Sequence, residues 1–215
     1  MSRRAVLVAS LLCVVVLGAL TAAQEPAPLL LPKPQTEGGR PLMEVLRDRK
    51  SSRSFSTKPL PPQVLSNLLW AAFGVNRPDG RRTAPSAVNW QEVDIYVATA
   101  QGFYLFDAKA HVLNAVAAED VRALTGNQPF VTQAPVNLVY VADLARMGRA
   151  SDADKAFYSA ADTGFISQNV YLYCSSEGLA TVVRAMLNRE ALGTAMKLRP
   201  EQRIILAQTV GYPAE

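Results

Sequence analysis

Residues 153–177 constrain the fold most. Their pattern predicts one helix, the longest in the chain, with Phe157, Ala160, Ala161, Gly164, Ile166, Val170 and Leu172 spread nearly all round it. An ordinary surface helix buries one apolar stripe. A helix this apolar either runs through the middle of a core or is shared with a second subunit. Gly178 ends it. Cys174, mid-helix among apolar neighbours, reads as an inert buried thiol. Lys155 and Tyr158, three apart on one face, read as structural groups or as proton donors to a bound ligand.

The first 23 residues carry a cationic start at Arg3-Arg4, an uncharged apolar run from Ala5 to Leu20, and small residues at Thr21-Ala22-Ala23. That order is a secretory signal peptide, and the run is shorter than the ~20 residues that span a bilayer. Ser2-Arg3-Arg4 also resembles a twin-arginine signal. The expected product is exported, periplasmic or secreted, and free of the membrane after cleavage. About 192 residues then remain, enough for one domain with a real core.

Losing Arg3 and Arg4 takes the formal charge from +4 to +2. The basic balance therefore does not argue for nucleic acid, and no basic-aromatic surface pattern does so either. One cysteine (Cys174) and one histidine (His111) remain. They make no intrachain disulfide and no zinc site of the usual Cys/His kind. A serine hydrolase would have to use His111, and no Gly-x-Ser-x-Gly elbow is present.

Residues 24–40, with Pro26, Pro28, Pro32, Pro34 and Gly38-Gly39, read as an extended tether to a domain over 41–215. Pro41 and the spacing of Leu42, Val45 and Leu46 start a first helix. Pro61-Pro62 starts a second, with Val64, Leu65, Leu68, Leu69 and Ala72 inward and Gly74 as its stop. A loop over 75–91 follows, long enough to suggest function. Val93, Ile95 and Val97 alternate, turn at Ala100-Gln101-Gly102 and return through Phe103–Phe106, a hairpin. Next come a short helix over 118–124, a buried strand over 136–141 and the long helix. A β-like run at 181–183, a helix over 189–195 and a strand over 204–210 close the chain. This order predicts an α+β fold, with an antiparallel-rich sheet between helices. His111 reads as a surface strand residue, Trp70 as core, and Trp90 as core or a ring-stacker.

The end of the first helix is chemically the most loaded stretch. Arg47, Arg49, Lys50 and Arg53 fall among Ser51, Ser52, Ser54 and Phe55. Guanidinium forks beside hydroxyls suit a phosphomonoester. The same cations also suit a solvated helix end, where they complement the macrodipole.

Four segments together resemble the nitroreductase family of FMN flavoproteins: Arg49–Phe55, Arg82–Asn89, the helix end from Gln168-Asn169 to Glu177-Gly178-Leu179, and Val210–Pro213. The Leu69–Gly74 and Arg82–Ser86 version is most similar to the branch containing thiazole/oxazole-forming peptide dehydrogenases. The resemblance implies a nitroreductase-like homodimer with FMN at each interface. A reduced nicotinamide, NADH or NADPH, or another donor passes hydride to flavin N5 and leaves. A nitro, quinone or azoline-type acceptor then takes its place. By position, Arg49, Lys50, Ser51 and Arg53 would hold the phosphate, ribityl chain and pyrimidine edge. Pro85, Ser86, Ala87 and Asn89 would approach from the other subunit. Val182, Val183 and Arg184 match the strand crossing the flavin, with the amide at Arg184 aimed at N5. Asn127 and Asp162 align with positions lining the same pocket. Arg184 stands where family members often carry an acidic residue, making the wall more positive. No cation follows Gly211-Tyr212, where many members carry one, which implies a looser hold on the phosphate. The competing expectation is an extracytoplasmic flavin-binding protein or pseudoenzyme without turnover.

Overall fold

The computed structural model describes residues 28–214. The expected signal peptide, residues 1–23, lies outside them. In chain order the elements are β1 (Leu29–Leu30), α1 (Leu42–Asp48), α2 (Pro62–Phe73), β2 (Val93–Thr99), β3 (Gly102–Asp107), β4 (Val112–Ala117), α3 (Phe130–Gln133), β5 (Val136–Asp143), α4 (Asp152–Ser176), β6 (Ala180–Arg184), α5 (Arg189–Ala195) and β7 (Gln202–Gly211), with 3₁₀ turns at Ala87–Asn89, Arg122–Thr125 and Leu144–Met147. One sheet runs β1-β4-β3-β2-β5-β7-β6, and all its neighbours pair antiparallel. The α+β class, with an antiparallel sheet between helices, is borne out.

Strand alternation divides the core in two. Val93, Ile95 and Val97 of β2 face α2 and α4, packing with Leu65, Leu68, Leu69, Ile166 and Val170. Tyr96 and Ala98 point the other way, to Leu192 and Met196 at α5. Every residue of the central β5 is buried, its apolar residues from Leu138 to Ala142 together with the polar Asn137 and Asp143.

The long helix is both core and surface. Ser151 caps α4 by accepting the Asp154 N–H. Gly178, at φ +68, ends it while the Leu179 N–H reaches back to the Cys174 carbonyl. Its buried side mixes Ile166, Val170 and Cys174 with Ser159, Asp162, Thr163, Ser167 and Tyr171. Its open side shows Phe157, 67 % exposed, and Phe165, 49 % exposed.

Three local expectations need correction. The short helix placed over 118–124 is a bend leading into the 3₁₀ turn Arg122–Thr125, and the strand β4 ahead of it was not expected; Val112–Ala117 mixes buried and exposed positions without a clean period of two. His111 lies in the turn before β4, at φ 54, and not in a strand. Its Nε2 sits 2.7 Å from the buried Ser66 hydroxyl. Gly74 ends α2 as expected, in extended geometry at φ −71; a Cβ there would collide with Trp70. Finally, the proline-rich stretch is fastened to the domain from Leu29 onward. Leu29 and Leu30 pair with β4, Ser66 donates to the Pro32 carbonyl at 2.5 Å, and the Gln35 and Arg40 N–H groups bond Asn67 and Ser176.

Candidate cofactor site

The basic stretch leaves α1 as an extended strip, because Arg49 turns out of helical geometry to ψ 122. It runs along the free edge of β6. The Ser52 N–H donates to the Thr181 carbonyl at 2.9 Å and the Ser56 N–H to that of Tyr212 at 2.9 Å. Phe55 plugs the strip into a small apolar cluster with Ala134, Ala180, Val182 and Phe130. Tyr171 of α4 clamps the near end. Its hydroxyl lies 2.8 Å from the Ser51 hydroxyl and accepts the Val183 N–H at 2.9 Å. Arg49 stands over its ring, 5.3 Å from the centroid.

The four cations separate here. Arg47 turns to Asp48, which also takes Arg40. Among the described residues no ion pair involves Arg49, Lys50 or Arg53. Lys50, Ser51 and Arg53 are exposed. Three unneutralised cations and two hydroxyls on one strand edge form a donor set that fits a phosphomonoester and its polyol chain.

On β6, Thr181 turns its carbonyl and Val183 its N–H away from β7, toward the strip and Tyr171. The alternate residues, Val182 and Arg184, therefore turn their peptide groups toward β7, where they pair with Thr209 and Ala207. The expectation that the Arg184 amide faces a ligand is corrected by this parity. Ala185, one residue past the strand, is the next position of the outward set. Val182 is buried in the Phe55 cluster, and Val183 is half-buried.

The Arg184 side chain is also committed inward. Its guanidinium donates to the Thr125 carbonyl, to the Asn137 side-chain oxygen at 2.7 Å and to the Thr209 hydroxyl at 3.0 Å. No carboxylate touches it. Burial alone pulls its pKa down to about 10, so it still carries its charge at neutral pH. A Cβ on Gly126 would collide with its Nη1, which is why glycine stands there. Asn127, the next residue, is exposed and projects beside this cage.

The other expected half of the site is the segment Pro85–Asn89. Ala87 donates its N–H to Asp162 at 2.8 Å, and the Ser86 hydroxyl donates to Glu92 at 3.2 Å. Val88 (φ 51), Asn89 (φ 59) and Gln91 (φ 48) are all left-handed, a costly conformation for a β-branched residue. Val88 is 81 % exposed. Asp162, expected as a pocket wall, is instead 2 % exposed beneath this segment: it holds the loop. Tyr158 packs edge-on against Trp90, a structural role, and burial pushes the Cys174 thiol up.

One chain brings together Arg49, Lys50, Ser51, Arg53 and Val183, but not Pro85–Asn89. The anchors of the two groups, Tyr171 and Asp162, are nine residues apart on α4, about 13.5 Å along its axis and half a turn round it. Sequence reasoning missed Tyr171 and Glu92. The first lay hidden as one more large residue in an apolar helix. The second was a charged residue directly before an alternating strand, a placement that does signal a buried carboxyl. Among the described residues no cluster of three or more His, Cys, Asp or Glu could hold a metal, and no helix is long and apolar enough to cross a membrane.

Comparison with known proteins agrees with this architecture. The model of the nitroreductase family matches residues 46–212. A protein of Methanocaldococcus jannaschii named as a nitroreductase is 34 % identical over 152 residues, 66 % of this chain and 76 % of that protein. A crystal structure of a protein from Ralstonia eutropha JMP134, described as a nitroreductase, superposes with a TM-score of 0.85 at 44 % identity, covering 89 % of this chain and 92 % of that one. A chain of the Escherichia coli microcin synthetase McbBCD complex shares the fold at a TM-score of 0.67 and 18 % identity, over 96 % of this chain and 85 % of that one. The chain belongs to the nitroreductase family.

Proposed function

We propose that this nitroreductase-family protein is an FMN-dependent oxidoreductase acting outside the cytoplasm as a homodimer. It takes hydride from a reduced nicotinamide, or another donor, and delivers it to a nitro, quinone or azoline-type acceptor in a second half-reaction. FMN supplies the hydride chemistry when bound. The residues of the chain hold and orient it. One observation carries the reading: Arg49, Lys50 and Arg53 line the β6 edge, and no carboxylate among the described residues pairs with them. Guanidinium forks left unpaired beside serines suit a phosphate group. Arg184 adds a buried positive charge behind the same strand, of the sign that favours an anionic reduced cofactor. The parity of β6 makes the amide of Ala185, and not that of Arg184, the candidate donor toward the ring.

The test is direct. The mature chain should purify yellow, or take up FMN when titrated. Arg49→Ala and Arg53→Ala should each weaken FMN binding about tenfold to a hundredfold, the loss of one charge-assisted hydrogen bond. A protein that stays colourless at saturating FMN would end the proposal. Flavin reduction by NADH and NADPH no faster than that of free FMN would remove the nicotinamide as donor.

A further inference from the structure

Two carboxyl groups lie buried under the 85–91 loop. Glu92, directly before β2, is fully buried, and Asp162 of α4 is 2 % exposed. Both grip the loop. Glu92 Oε2 accepts from the Ser86 hydroxyl, Ser86 Oγ accepts the Gln91 N–H at 2.8 Å, and Asp162 Oδ2 accepts the Ala87 N–H. Yet Glu92 Oε1 has no partner, nor has the hydroxyl of Thr163 next to Asp162. A buried carboxylate oxygen with no donor is expensive. The cost vanishes if that oxygen carries a proton and offers it to Asp162.

The surroundings support this. Burial, and then the Asp162 charge, push the Glu92 carboxyl up, against the pull of its own backbone N–H and of Ser86. The cations on neighbouring elements are committed elsewhere. Arg146, in the turn after β5, forks onto Asp94 at 2.9 and 2.8 Å, Arg199 takes Asp143, and Arg82 bonds Gln91 and the Phe73 carbonyl. None faces the pair. What the pair restrains is strained, since Val88, Asn89 and Gln91 are held left-handed.

We propose that Glu92 and Asp162 form a proton-held latch that positions Pro85–Asn89, shut while Glu92 keeps its proton and open once it ionises. Ionisation places two like charges side by side out of water, and the loop, already strained, lets go. A carboxyl raised in the folded state stabilises it below the ordinary glutamate value and loses that contribution as pH rises through the folded value. The loop is therefore held on the acid side and released on the alkaline side of that raised value. The role of the latch in cofactor retention rests on the reading of Pro85–Asn89 as a cofactor contact; the latch itself does not.

The experiment compares amide exchange at Ala87 and Gln91 in the flavin-free protein, and FMN dissociation in the holoprotein, from about pH 5 to about pH 9, a span that covers known buried glutamates. After correction for intrinsic exchange, the wild type should show at least tenfold faster exchange above the transition, with FMN release rising in step. Glu92→Gln, whose amide donates permanently to Asp162, should hold the loop and the FMN at every pH. Asp162→Asn, which offers Glu92 Oε1 a donor instead of a charge, should likewise remove the transition, and serves if Glu92→Gln does not fold. Parallel exchange in wild type and variants across the whole range would overturn the latch while leaving the cofactor reading intact. A loop transition without any change in FMN release would overturn the cofactor role of Pro85–Asn89 and leave the latch standing.

Discussion

Arg184 shows how much a single residue can differ from its place in a motif. Its number was legible; the destination of its side chain was not. The acceptors that cage it come from three distant segments, Thr125, Asn137 and Thr209, and no local pattern announces them. The cage itself is tied together, since the Thr209 hydroxyl donates to Asn137 at 2.7 Å and Asn137 to the Val131 carbonyl at 2.8 Å. A flexible ammonium cannot reach all of these acceptors at once. Arg184→Lys should cost about 1–3 kcal/mol in denaturant unfolding, through acceptors left without donors. Gly126→Ala should cost about 1–3 kcal/mol by overpacking against the guanidinium. The two should not add: with the fork gone, the added methyl meets less, and a coupling of at least ~0.5 kcal/mol is expected from the double-mutant cycle. Strict additivity would mean that the glycine is there for another reason. The basic stretch was legible as a cluster of four cations, but not the pairing of Arg47 with Asp48, which takes Arg47 out of the set.

At the scale of elements, strong periodicity was legible and pairing between distant segments was not. The long helix and the β2–β3 hairpin were read correctly, since the apolar residues of each recur in the sequence at a spacing its element requires. The strand β4 was missed because its partners, β3 and the N-terminal Leu29–Leu30, make it a strand that its own burial pattern does not advertise. The tether was misread for the same reason. Prolines forbid regular structure, but they do not forbid docking. Ser66 is the clasp, donating to the Pro32 carbonyl at 2.5 Å while His111 Nε2 lies 2.7 Å from the same hydroxyl. That hydroxyl gives its proton to Pro32, so the imidazole must donate to Ser66. Burial lowers the affinity of His111 for a second proton. A histidine lowered in the folded state is protonated first in the unfolded one, so stability falls as pH drops from the ordinary imidazole range through the lowered value. Exchange at Leu30, Leu31 and Gln35 should therefore quicken on mild acidification. His111→Phe should abolish that dependence, and an unchanged acid response in this variant would place the titrating group elsewhere.

For the whole molecule, the question is where the apolar surface goes. Exposed apolar residues are normal singly, but here they gather along two packed helices. α1 shows Leu42, Met43 and Leu46 at 60, 77 and 44 % exposure, and α4 shows Phe157 and Phe165. α1 lies on the C-terminal part of α4, where the Ser175 hydroxyl donates to the Val45 carbonyl at 3.0 Å. The two sets of exposed apolar residues thus lie toward opposite ends of α4, whose Asp162 and Tyr171 anchor the two half-sites that one chain keeps apart. A second copy packed on this face would cover the phenylalanines and carry its own Pro85–Asn89 toward the Arg49–Arg53 strip. We expect a stable dimer burying more than ~2,000 Å², the size of an obligate interface. Phe157→Asp combined with Phe165→Asp should test it. Both side chains already face solvent in one chain, so the folded monomer should lose no more than about 0.5 kcal/mol per site in its own stability, while two carboxylates in a desolvated interface should break the dimer. Sedimentation should then give a monomer, and FMN affinity should fall by at least tenfold because each strip has lost its opposing loop. A monomeric variant that keeps wild-type FMN affinity would show that one chain builds the whole site by itself, and that the apolar face of α4 serves another partner.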